Sequence, residues 1–365
     1  MPADAERGRR RGGTRRTVHG GVHHRDHGGG TVSTATTSSW LSCHVFHHGD
    51  TDPLLTDLLL PMVEDLRREG RLLRHFYLRH WERGPHVRLR MRIPAEHRDS
   101  VQSQAEHRIN DYLERHPGPT DTDPERLREA LSRLSELEHG HATEGSLEAP
   151  APPNTVRWIT YQPELAKYGG EEGVEIAEDV FHASSLLAGQ VLQLVRNDRA
   201  RLGISLQLLL LASRALGFGP EDRAVFLRTY HERWSGYVSD ERLLAAWGEQ
   251  YLLQRDTYSE LITGLDEGKA IGKGLGEQWE RTLGQVVERL RPLVAEGRVW
   301  PAEVDRSAPS TVALAALVSQ YLHTTNNRMN VRPQGECFVA YLACRAATEQ
   351  EVSQPRPESA AHDRG

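Results

Sequence analysis

The feature that most constrains this chain is the run HVRLRMRIP at residues 86–94. Arg88, Arg90 and Arg92 alternate there with Val87, Leu89, Met91 and Ile93. A period of two puts successive side chains on opposite faces of a strand, so one face is apolar and the other carries three guanidinium groups. A helix would scatter both sets, so the run demands a sheet. The segment before it, LLRHFYLRHW, is also extended in pattern, and Glu82, Arg83, Gly84 and Pro85 between the two supply turn chemistry. A hairpin with long arms is predicted. Three like charges along one face repel, and a strand at the surface simply exposes them to water. The functional alternative is a clamp for an anion or a peptide carboxyl, for which arginine's planar fork is suited.

Around this hairpin the sequence reads as α+β, with a small antiparallel sheet early and a mainly helical C-terminal half. Residues 40–46 alternate as a strand, Asp50 to Pro53 opens a helix that Gly70 closes, and residues 155–161 return to strand character. A charged helical stretch follows Ala95, broken at PGPTDTDPE and ending in the Pro-rich GSLEAPAPPN. From there to about residue 348 the periodicity is helical. The expected organisation is a disordered tail over residues 1–37, one domain over 38–350 with a helical insertion at about 97–150, and a disordered tail over 351–365. Residues 1–31 are rich in Gly, Arg and His with no apolar pattern, and a start at Val32 would remove them. His19, His23, His24 and His27 there have no scaffold to fix a metal geometry.

Composition narrows the function. The net charge is −6, and because the first 31 residues are basic the remainder is more acidic still, so nucleic acid is not the expected partner. The abundance of arginine over lysine, which occurs only at Lys167, Lys269 and Lys273, fits a GC-rich genome. No apolar run approaches the roughly 20 residues of a membrane span, so no membrane partner is expected. Three cysteines (Cys43, Cys337 and Cys344) without a CxxC pair, and no apolar signal segment, fit a cytoplasmic protein. Cys337 and Cys344 share a helix face, which reads as core packing. The glycines at 268, 272, 274 and 276 follow no strand and fit no dinucleotide fingerprint, and Ser184 and Ser185 lack a nucleophile elbow. With no metal-ligand spacing outside the tail, neither metal nor organic cofactor is expected.

Two further segments carry groups able to bind or move protons. TYQPELAKYGG runs from a strand through a Tyr-Gly-Gly turn into a helix, and it brings Tyr161, Glu164, Lys167, Tyr168 and, farther on, Glu178. Taken alone it is a structural corner. In SQYLHTTNNRMN an apolar helix over residues 313–322 is expected to end at His323, with Asn326, Asn327 and Arg328 forming a polar turn. A helix C-terminus favours protonated histidine, suiting proton transfer near neutral pH, although a surface cap is the commoner case.

Together these segments resemble a family. FYLRHWERGPHVRLRMRIP is similar to its Phe-x-Arg-Tyr and His-x-Arg-x-Arg hairpin, TYQPELAKYGG to its Tyr-x-Arg-Glu-x-x-Arg-Tyr-Gly-Gly turn, and LHTTNNRMN to its His-x-x-x-Asn-Arg corner, in the same order over residues 40–347. The family comprises the glutamate-elimination domains of lantibiotic dehydratases, split lyases of thiopeptide pathways, and the pyridine synthases that share their fold. The resemblance implies an elimination-domain-like fold and a ribosomal precursor peptide with its leader as partner. In the lyases it implies that hairpin and turn arginines and the corner histidine clamp and expel glutamate from a glutamylated Ser or Thr. The matching positions are Arg88, Arg90 and His323, but Pro163 stands where the first turn arginine would be and Lys167 replaces the second.

Proline cannot bind a carboxylate, and the incomplete clamp favours the pyridine synthases, which join two dehydroalanines by a formal [4+2] aza-cycloaddition with loss of water and leader. On this reading His323 and Tyr161 transfer protons with Arg88 beside them, while Arg79, Arg90, Arg92, Glu164, Tyr168, Asn327 and Arg328 bind the peptide. The alternatives are a stand-alone glutamate lyase, clamped by Arg157 or Arg79, and a non-catalytic scaffold that binds the leader. Oligomeric state is left open by the sequence.

Overall fold

A computed structural model describes residues 38–353 apart from 122, 140–147 and 239. The expected tail over 1–37 lies outside the described residues, as does that over 351–365 except for residues 351–353, which are helical rather than tail. Strand β1 (Ser38–Phe46) is followed by a helical segment over residues 51–68. Asp50 caps that segment as expected, its side chain accepting from the Asp52 amide. The segment passes through a π-helical stretch, Leu54–Leu59, before α1 (Leu60–Arg68). The wider π turn delivers Leu54, Leu55, Leu58 and Leu59 all to the core.

The hairpin forms β2 (Arg74–His80) and β3 (His86–Pro94). Its turn places Arg83 and Gly84 at positive φ of 64° and 110°. A Cβ on Gly84 would sit 2.9 Å from His48 Nε2, so both backbone and packing require glycine there. After α2 (Arg98–Arg115) and α3 (Pro124–His139), β4 (Thr155–Trp158) completes an antiparallel sheet of order β2-β3-β1-β4. Register decides the faces. Arg88, Arg90 and Arg92 lie opposite Leu78, Phe76 and Arg74 on one side and opposite His44, Ser42 and Trp40 on the other. Val87, Leu89, Met91 and Ile93 point the other way and are buried, in one core with Val101, Ala105 and Ile109 of α2.

The helical half comprises α4 (Leu165–Tyr168), α5 (Glu171–Leu194), α6 (Asp198–Ala215), α7 (Pro220–Ser235), α8 (Glu241–Leu253), α9 (Arg255–Asp266), α10 (Leu275–Ala295), α11 (Ser310–Arg328) and α12 (Pro333–Ser353). Helices α5 and α11 pack against each other and against the outer strand β2. That strand's outward backbone groups meet side chains: His182 Nδ1 donates to His75 O (2.9 Å), Ser185 Oγ accepts from Tyr77 N (3.2 Å), and Asn327 pairs with both N and O of Arg79 at 2.9 Å. The α+β expectation, small sheet first and helices after, holds. Among the described residues no helix is long and apolar enough to cross a membrane.

Two local expectations fail. The helix carrying His323 does not stop at residue 322 but runs to Arg328, so Asn326, Asn327 and Arg328 are its last turn rather than a loop. Asparagine is a poor helix former, but Asn327 is fixed by β2, and Asn326 and Arg328 are buried. The strand expected over 155–161 ends at Trp158.

Candidate functional site

A cleft of about 550 Å³ opens between the hairpin and the α11–α12 corner. Its walls bring together groups far apart in sequence: Arg79 and His80 from β2, Arg88 from β3, Glu164 and Lys167 from the glycine turn, and His323 and Asn327 from α11. The turn is shaped by Gly169, which closes α4 at φ 83°; a Cβ there would lie 2.5 Å from the Trp300 amide nitrogen. The Gly169 carbonyl accepts from that amide, tying the turn to the loop before α11.

On the sheet wall the arginines are covered rather than solvated. Arg88 Nε donates to His86 Nε2 (3.1 Å) and its Nη2 to Glu82 (3.2 Å). His86 Nδ1 lies 2.8 Å from the Gly84 carbonyl, which can only accept, so Nδ1 carries the proton and Nε2 is free to receive Arg88. Burial pushes the His86 imidazole down to about 3, and desolvation pushes His80, half-buried beside Glu82, down to about 4. Burial, reinforced by neighbouring Arg90, brings even Arg88 down to about 10.

Arg90 lies deeper, 9 % exposed, with its guanidinium carbon 4.9 Å from the Tyr161 ring centre and 5.4 Å from that of Phe76. Its Nε and Nη1 have no hydrogen-bond partner within the protein. Tyr161 packs edge-on against Trp40 and Phe76 and shares a hydrogen bond with Glu178. Burial, then the Glu178 charge, holds the Tyr161 hydroxyl far above its ordinary value. Burial likewise raises the Glu178 carboxyl. Tyr161 is therefore a firmly protonated group set behind the cleft wall.

The remaining sequence-predicted residues divide between wall and support. Arg79 lines the cleft, but its Nη2 is 2.6 Å from Asp52, which also holds Arg201 at 2.7 Å. Arg92 is turned to Ser38 (3.1 Å). Tyr168 is buried in a parallel stack on Tyr321 at 5.9 Å. Arg328 is fully buried, its Nε on Ser185 and its guanidinium 5.0 Å from the Phe181 ring, and burial brings it down to about 10. Arg157 stacks 5.6 Å from Phe46. Glu164 and Lys167 face each other at 3.7 Å. The structure thus gathers Arg88, Glu164 and His323 at the cleft, with Arg79 and Asn327 in its wall. Tyr161, Arg90, Arg92, Tyr168 and Arg328 stand outside the cleft lining.

On the helical wall, sequence reasoning missed the surroundings of His323. Because α11 continues past it, His323 is not a terminal cap. Its Nδ1 is 2.8 Å from Glu336 Oε1 of α12, and Trp234 of α7 stacks on the ring at 4.3 Å. Glu336 Oε2 accepts from the Tyr230 hydroxyl at 2.7 Å, and Glu336 is wholly buried. The only sequence signal was a lone acid inside the apolar run ECFVAYLA. Among the described residues no group of three or more potential metal ligands occurs.

Comparison with known proteins places this geometry. The family described as lantibiotic biosynthesis dehydratase C-term matches residues 40–347. Among solved structures, the pyridine synthase TbtD from thiomuracin biosynthesis is 25 % identical with a TM-score of 0.71, covering 86 % of this chain and 99 % of that one. TsrL shows 20 % identity and a TM-score of 0.63, covering 88 % and 100 %. The tRNA dependent lantibiotic dehydratase MibB from Microbispora sp. 107891 shows 18 % and 0.53, covering 87 % of this chain but 28 % of MibB. The last two carry the fold alone. No curated protein matches by sequence.

Proposed function

The chain belongs to the lantibiotic biosynthesis dehydratase C-terminal family, and on that premise we propose that it is a cytoplasmic pyridine synthase of thiopeptide-type biosynthesis. It acts on a leader-bearing ribosomal peptide carrying two dehydroalanines. The amide between the diene partner and its preceding residue takes up its iminol form, two carbon–carbon bonds form, one between the two β carbons and one between the iminol carbon and the other dehydroalanine's α carbon, and the ring loses water and then the leader as an amide.

The observation that carries this reading is the composition of the cleft. A glutamate lyase needs cations free to hold a leaving carboxylate. Here the turn offers Pro163 and a lysine facing Glu164, while Arg79, the substitute clamp, is committed to Asp52. Arg157, the other substitute, is stacked on Phe46. Likeness to a pyridine synthase along nearly its whole length supports the same choice. What the cleft does offer suits the cyclisation. Arg88 at the cleft, with the more deeply buried Arg90 outside its lining, orients peptide carbonyls, folding a flexible chain so that two alkenes approach, an effect worth several kcal/mol. His323 moves the protons needed to reach the iminol and to aromatise the ring. Tyr161, firmly protonated, serves as a hydrogen-bond donor behind the arginines.

Incubating the protein with a dehydrated, leader-bearing peptide tests the reading. The expected product is a pyridine macrocycle with the leader released as an amide. Release of glutamate from a glutamylated peptide would establish the lyase instead, and binding without change of mass would establish a scaffold.

A further inference from the structure

We infer that Glu336 is a positioning residue, which with Tyr230 fixes the tautomer of His323 and so decides which ring nitrogen meets the substrate. The inference deepens the proposed proton-transfer role of His323 and rests on it for its kinetic part alone.

Three helices converge on one carboxylate. Glu336 lies in the first turn of α12, where the helix dipole favours negative charge. It is completely buried, and a buried carboxylate without donors would be costly. Both its oxygens are engaged: Oε2 accepts from the Tyr230 hydroxyl at 2.7 Å, and Oε1 lies 2.8 Å from His323 Nδ1. A carboxylate oxygen accepts, so Nδ1 carries the hydrogen. That leaves Nε2, on the opposite edge of the ring, with its lone pair available, while His323 lines the cleft. Trp234, stacked at 4.3 Å with the planes 24° apart, prevents the ring from tilting. When Nε2 takes a proton, the imidazolium forms against a carboxylate already in contact, the logic by which an acid orients a catalytic histidine.

Tyr230 has a second neighbourhood. It also lines an apolar groove of about 420 Å³ between α7 and α11, and it does not line the cleft. Its hydroxyl therefore ties the histidine to the packing of α7 rather than to the substrate.

Nitrogen-15 NMR of the histidine rings tests the assignment without any substrate, with His323 identified by its loss in His323→Ala. The wild-type ring is expected to show Nε2 as the unprotonated nitrogen. In Glu336→Gln the carboxamide can donate to Nδ1, so the unprotonated nitrogen should become Nδ1, and the single-turnover rate should fall about 10²-fold or more with peptide affinity within about threefold. Glu336→Asp, which keeps an acceptor, should restore Nε2 and part of the rate. Tyr230→Phe preserves packing and should cost about threefold to tenfold, which tests the network even where Glu336→Gln does not fold. An unchanged tautomer in Glu336→Gln, or a full rate in Tyr230→Phe, overturns the inference. A shifted tautomer in a protein that cyclises nothing would leave the positioning role intact and remove the proposed reaction.

Discussion

The two walls of the cleft solve different problems with different parts. The sheet wall sets its cations on one strand, Arg88 at the cleft and Arg90 two residues on, buried outside the lining, with a neutral histidine and aromatic faces around them. The helical wall carries one imidazole on α11, gripped by a buried acid of α12 and a tryptophan of α7, with a tyrosine of α7 bonded to the acid. A guanidinium fixed on a strand at the cleft suits holding a peptide carbonyl. A single imidazole with its orientation fixed suits moving a proton. The contrast teaches that, on the proposed reading, binding and chemistry are separable, so that each should be removable without the other.

The sharpest way to break that separation is His323→Ala. A general acid or base contributes about 10²-fold to 10⁴-fold, so the single-turnover rate should fall by that much with peptide affinity nearly unchanged. A loss under about tenfold in a variant folded by circular dichroism would reduce His323 to a structural residue. The reciprocal change, Arg88→Ala, should weaken peptide binding about tenfold to a hundredfold, the worth of a charged hydrogen bond, as titration calorimetry would measure. A variant that binds normally but reacts slowly would assign Arg88 to the chemistry and dissolve the distinction.

Acid should separate the walls next. Burial depresses His75 and His86 to about 3 in the folded chain, while in the unfolded chain they titrate near 6.5. As pH falls below about 6.5 the unfolded state therefore takes up protons first. Stability drops by about 1.4 kcal/mol per pH unit for each such histidine, down to the folded value. Above pH 7 these groups contribute no slope. Denaturant melts at pH 7 and pH 5 check this, and His86→Gln should give a shallower dependence. The smallest effect is expected of Tyr161→Phe: loss of its bond to Glu178 should cost about 1 kcal/mol of stability and change the rate less than tenfold. A larger loss of rate would move Tyr161 from support to chemistry.

The sheet wall was legible in sequence because its signal is local. Alternation over residues 87–93 set both faces, and the Glu82 to Pro85 turn set the register. What the pattern could not tell was whether water or protein covers the arginines, since that depends on residues 159–168 and α5 folding back. The helical wall was legible only as a histidine near two asparagines. Ending the helix at His323 followed intrinsic propensity, which tertiary contact overrode: Asn327 is held by a strand nearly 250 positions away. Glu336 was hidden because a buried acid in an apolar helix declares itself only through partners, and Tyr230 lies 106 residues from it.

Those partners on the outer strand have a consequence beyond the cleft. An edge strand with free amides is a template on which another chain can add, and proteins usually blunt it with charge, proline or a bulge. Here His182, Ser185 and Asn327 occupy the alternate backbone positions of β2 at His75, Tyr77 and Arg79, acting as a surrogate strand assembled from two helices. The corner that presents His323 thereby also guards the sheet against self-association. Variants that loosen the corner, Asn327→Ala above all, should show it first as a tendency to aggregate, before any change in chemistry can be read.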